Sequence, residues 1–150
     1  MDIPAKALVN ICIEQGMVCH YKLDSNNQDG THYVGNRFLI VLNVNPKTDT
    51  VLVLVTITSK IDSIERFIKV RSESPDTIVR ISPTDFPRLS EESAVNCNRT
   101  YETSLSELTQ KIDDGGSVFF ERLPRSVVSA IVSGVLMSNQ VEAGHKKLLI

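Results

Sequence analysis

Thr58, Ser59 and Lys60 set two hydroxyls and an ammonium side by side at the end of an apolar run, Val51 to Ile57. Hydroxyl and backbone donors next to a cation suit the oxygens of a phosphate. A polar strand end leading into a turn is the plainer reading of the same residues. Arg37, just ahead of another apolar run, carries a planar guanidinium that can grip two phosphate oxygens at once; its plainer reading is a solvated arginine at a strand start. His20 is the one histidine placed on an expected strand. An unperturbed imidazole pKa of about 6.5 suits proton transfer at neutral pH, although strand periodicity can equally bury the ring. His32 and His145 are weaker candidates.

Other chemistries find little footing. The chain has no HExxH, no clustered aspartates and no paired Cys/His spacing, so neither a metal nor another cofactor is expected. Gly115-Gly116 reads as a helix end and turn rather than a phosphate loop. The three cysteines, Cys12, Cys19 and Cys97, are odd in number and widely spaced, which fits reduced, buried thiols better than a disulfide framework.

The 16 basic and 18 acidic residues give a net charge of −2, not the strongly basic balance of a general nucleic-acid binder. The charge is uneven: residues 1 to 71 hold 8 basic and 7 acidic side chains, whereas residues 72 to 150 hold 8 and 11. A polyanion site is therefore expected in the first half. No apolar run approaches the about 20 residues of a membrane span. The start of the chain lacks the basic-then-apolar layout of a secretion signal, so the expected compartment is the cytoplasm.

The elements that must position these residues are mostly short strands. A helix is expected over residues 1 to 15, with Pro4 in its first turn and Gly16 as its stop. Met17 to Leu23 reads as a strand, and the polar segment 24 to 36 as a long mobile loop. Phe38 to Leu42 and Val51 to Ile57 form a hairpin around Asn43 to Thr50. Further strands are expected at Phe67 to Val70, Thr77 to Ile81, Ala94 to Cys97 and Val118 to Phe120, with no helix between Phe38 and Cys97. Ser104 and Glu107 form a capping box for a helix ending near Ile112, and Pro124 opens an amphipathic helix over 124 to 138. One domain covering 1–150 is the economical count. The fold class is mainly β with helices (α+β), arranged as a small antiparallel barrel.

The ordered pieces Gly35-Asn36-Arg37-Phe38-Leu39-Ile40-Val41-Leu42, Val55-Thr56-Ile57-Thr58-Ser59, Ser93 to Thr100 and Leu123-Pro124 with its helix resemble the PemK/MazF family of small RNA-cleaving toxins. They are also similar to the related ToxN-type toxins. The resemblance runs over about residues 16 to 138. Arg37 and Thr58-Ser59 match the family's conserved positions. Phe38 and Thr56 stand where members usually have proline, Asn98 where some carry aspartate, and Asn96 where some carry arginine, which leaves the general base unassigned.

The resemblance implies an SH3-like barrel, a homodimer and a cognate antitoxin, more readily protein than RNA. It implies metal-independent cleavage of single-stranded RNA through 2′-hydroxyl attack. Arg37, Thr58 and Ser59 would act on the scissile phosphate, with Lys60, His20, Asn98 and Arg99 as RNA contacts. The alternative is a non-catalytic SH3-like barrel that binds a protein, a peptide or RNA.

Overall fold

The computed structural model describes residues 4–26 and 32–150. In chain order the elements are α1 (Ala5–Cys12), β1 (Val18–Asn26), β2 (His32–Val41), β3 (Leu52–Thr58), α2 (Ile61–Arg71), β4 (Ile78–Ile81), β5 (Ser93–Asn96), β6 (Tyr101–Thr103), α3 (Leu105–Asp113), β7 (Ser117–Val118), α4 (Arg125–Met137) and α5 (Ala143–Lys147), with a 3₁₀ turn at Pro75–Thr77. The fold is α+β. Its seven strands form one antiparallel sheet in the order β4-β5-β3-β2-β1-β7, and β6 also pairs with β3. Among the described residues nothing pairs β4 with β7, so the sheet is an open path and not the closed barrel expected from the strand density. None of the helices is long and apolar enough to cross a membrane among the described residues.

Strand alternation divides the core between two faces. Ile40, Leu42, Val53, Val55 and Ile57 pack with Ile131 and Val135 of α4 on one face. Leu39, Val41, Leu52 and Leu54 pack on the other with Val9 of α1, with Ile13 just after it, and with Leu108 and Ile112 of α3. The central strand β3 is apolar on both faces because both are covered. Gly16 adopts φ +93°, a region that favours glycine, and its N–H donates to the Val41 carbonyl at 2.7 Å, turning the chain from α1 into β1.

Several sequence signals act as expected. Ser104 Oγ accepts the Glu107 N–H at 3.0 Å and caps α3. Pro124 immediately precedes α4. Asn43 knits the turn between β2 and β3, donating to the Val51 carbonyl at 2.8 Å and accepting from the Val53 N–H at 2.7 Å.

Two expectations are corrected. Phe67 to Val70 is not a strand but part of α2, which lies between Phe38 and Cys97 where no helix was expected. Ile61, Ile64 and Ile68 recur at helical spacing and pack on Ala94 and Ile78. Burying each such isoleucine is worth about 1.5–3 kcal/mol, which outweighs a strand preference spanning only about 1 kcal/mol. The segment 24 to 36 is not a loop throughout, since β1 and β2 pair as far as Asn26 opposite His32; its residues 27–31 lie outside those described. Backbone pairing carries this ribbon, whose sequence is mostly polar, and so its polarity read as a loop.

Candidate functional site

On the face that α1 and α3 cover, the sheet changes character partway along its strands. Leu39 and Leu54 are buried, but the next residues on that face are Arg37 on β2 and Thr56 and Thr58 on β3. Here α2 takes over as the wall. Ser63, Arg66, Phe67, Val70 and Arg71 form one stripe at helical spacing that lines the groove, while Ile64 and Ile68 anchor the helix on Ala94 and Ile78 of the sheet. The far wall is the segment between β5 and β6. Two residues of β3, Val55 and Thr56, span the interval against Asn96 to Thr100 on its partner, so the longer side bulges outward and carries Asn96, Arg99 and Tyr101 to the groove.

The groove has a volume of about 550 Å³, and its lining includes five cations, Arg37, Lys60, Arg66, Arg71 and Arg99, with no carboxylate or imidazole among the described lining residues. In a chain of net charge −2 this is a strong local departure. Five like charges around one concavity repel one another and raise the local concentration of anions. Two aromatic rings sit among them. The Arg71 guanidinium carbon lies 5.7 Å from the Phe67 ring centroid, and that of Arg99 lies 5.0 Å from the Tyr101 centroid.

Four of the residues expected from the sequence, Arg37, Thr58, Lys60 and Arg99, meet in this groove. Thr58 Oγ1 accepts the Lys60 N–H at 3.1 Å, which shapes the turn into α2 and uses a lone pair of the hydroxyl rather than its proton. The other three lie elsewhere. Because Tyr21 pairs with Arg37 and His20 with Phe38, His20 is on the opposite face of the sheet from Arg37. Its ring packs 4.7 Å from that of Phe38, and burial lowers its pKa. His20 and Ser59 instead border a smaller hollow of about 190 Å³ at the strand ends, which Arg37 and Thr58 also reach.

Asn98 is withdrawn altogether. It is 1% exposed; its Nδ2 donates to Thr77 Oγ1 at 2.8 Å and Asn96 Oδ1 at 3.1 Å, and its Oδ1 accepts from Ser138 Oγ at 2.6 Å. The expected RNA contact is thus a structural knot joining the bulge, the 3₁₀ turn and the end of α4.

Arg66, Phe67, Arg71 and Tyr101 were missed by sequence reasoning. The stripe from Ser63 to Arg71 is its legible signal, hidden once Phe67 to Val70 was read as a strand. Also missed was a group of possible cation ligands, Glu102, Glu142 and His145, whose ligand atoms lie within 4.8 Å of one another. Here His145 Nε2 faces Glu102 Oε1 at 2.5 Å and Glu142 Oε1 at 3.0 Å, while Nδ1 pairs with Thr100 Oγ1 at 2.6 Å. The thiols are free; burial pushes Cys19 and Cys97 up to about 12, which makes both poor nucleophiles, while Cys12 is only partly buried.

No protein-family model matches the chain, and no curated protein matches it.

Proposed function

We propose that the protein is the toxin component of a toxin–antitoxin system, a PemK/MazF-like endoribonuclease that cuts single-stranded RNA and arrests growth. The observation that carries this reading is the meeting of Arg37 and Thr58 in a groove lined by five cations. Such a lining suits a phosphodiester backbone, whose charges Lys and Arg side chains neutralise.

The reaction would be attack of the substrate's 2′-hydroxyl on the adjacent phosphorus, giving a 2′,3′-cyclic phosphate and a freed 5′-hydroxyl. Arg37 would balance the charge gathering on the phosphorane oxygens, and the Thr58 hydroxyl would donate to one of them. Lys60 and Arg99 would hold neighbouring phosphates. The family resemblance adds an SH3-like fold, a homodimer and a cognate antitoxin that blocks the groove, and the expected compartment is the cytoplasm.

A second reading, that the groove binds RNA without cutting it, is favoured by the absence of any imidazole or carboxylate among the described lining residues. Incubating purified protein with end-labelled RNA in EDTA separates the two. Cleavage ending in a cyclic phosphate, lost in Arg37→Ala and Thr58→Ala, supports the nuclease. Intact RNA that is nevertheless retained by the protein supports the binding module.

A further inference from the structure

The groove contains more than charge, and packing accounts for only some of its apolar members: Leu23 and Tyr101 lie against the core under α1 and α3, whereas Phe67 belongs to no core cluster. α2 already has an anchoring face, where Ile64 and Ile68 pack with Ile61, Ala94 and Ile78; Phe67 is not part of that cluster. It points instead into the groove, half-buried, followed one turn on by Val70, which is 75% exposed. Across from it Tyr101 presents a second half-buried ring. Each ring has a guanidinium held near it, from Arg71 and Arg99. A site for a bare polyanion gains nothing from large apolar rings. A site for a nucleic acid gains a great deal, because every base has a flat face that stacks on an aromatic ring or a guanidinium plane.

We infer that α2 and the bulge between β5 and β6 form a nucleobase subsite, in which an unpaired base stacks at Phe67 and Tyr101 while its backbone runs past the groove cations. This rests on the reading of the groove as an RNA site and adds what it recognises beyond phosphate. Duplex RNA keeps its base faces stacked on one another, so the subsite selects single strands. Because it touches no scissile phosphate, it contributes binding, and Arg37 and Thr58 are left to the reaction.

The test measures binding by fluorescence anisotropy with two probes, a short labelled single-stranded RNA blocked against cleavage by 2′-O-methylation and an abasic oligonucleotide of the same length. Phe67→Leu keeps an apolar side chain on α2 but removes the ring, and Phe67→Trp restores a flat face. Phe67→Leu should weaken RNA binding about tenfold, within the range for one stacked base, and leave the abasic probe unaffected; Phe67→Trp should recover the RNA affinity. Unchanged RNA affinity in Phe67→Leu, or an equal loss on both probes, overturns the subsite. If at the same time Arg37→Ala weakens both probes, the groove reading survives that failure. If the wild-type protein binds neither probe, the groove reading itself falls, and the subsite with it.

Discussion

On one side of the segment from Asn96 to Glu102, Arg99 and Tyr101 face a groove lined by five cations. On the other side, Asn98 is bonded to Thr77 and Ser138, and Thr100 and Glu102 are both bonded to His145. The two regions share a stretch of backbone and follow opposite rules. In the inner region each polar atom meets a complementary one, and no buried side-chain donor or acceptor is left unsatisfied among the described residues. In the groove, like charges are gathered against their mutual repulsion. The inner region is organised for stability and the groove for a partner, so a substitution in one should register in a measurement that is silent for the other.

The largest effect should come from the groove. Arg37→Ala is expected to lower the rate of RNA cleavage about 100-fold or more, the usual cost of removing one transition-state stabiliser, and Thr58→Ala should do likewise. Arg37→Ala should change stability by no more than about 0.5 kcal/mol. Cleavage assays beside thermal melts check this; a collapsed melting temperature would place Arg37 in the structural class.

Asn98→Ala should show the reverse. Removing the amide takes away the acceptor of the Ser138 hydroxyl and one donor to Thr77 Oγ1, at an expected cost of about 1–3 kcal/mol, read as a lowered denaturant midpoint. RNA affinity, measured well below the melting temperature, should be unchanged.

A finer test of the groove is its salt dependence. For single strands, the slope of log affinity against log salt is about −0.7 per phosphate neutralised. Arg66→Ala should therefore make the slope shallower by about 0.7, whereas Lys147→Ala, on α5 and not among the groove residues, should not alter it.

The smallest effect concerns His20, on the opposite face of the same strands. Its pKa is lowered by burial, so the unfolded chain takes up a proton first. Above the unfolded value of about 6.5 both states are neutral and the residue adds no pH dependence. As the pH falls below that value the unfolded state gains, and stability declines until the folded state also protonates. His20→Gln should flatten the melting temperature between about pH 5 and 7, and because His20 is not in the groove, the pH profile of RNA binding should be unaffected.

Much of this was legible from local patterns. The Ser104 cap, Pro124 ahead of α4, Gly16 and the hairpin around Asn43 each depend on a few neighbouring residues, and each acts as its chemistry dictates. The uneven charge pointed to the first half of the chain, which supplies Arg37, Lys60, Arg66 and Arg71. The failures are equally physical. Phe67 to Val70 has strand-like composition in isolation, and only the isoleucines before and within it, packed on Ala94, make it a helix.

What the sequence determined by itself was the set of elements whose hydrogen bonds close locally, together with the residue types able to hold a phosphate. What only the tertiary structure decided was which of those residues share a space. Strand pairing places Arg37 opposite Tyr21, one residue from the pairing that would have put it opposite His20, and because side chains alternate between faces, that single step leaves His20 out of the groove and lets the two meet only at the hollow by the strand ends. Asn98 turned inward and Arg99 outward for the same kind of reason. The bulge that contains them exists only because β5 and β6 both pair with β3 across unequal lengths of chain, a constraint no local pattern carries.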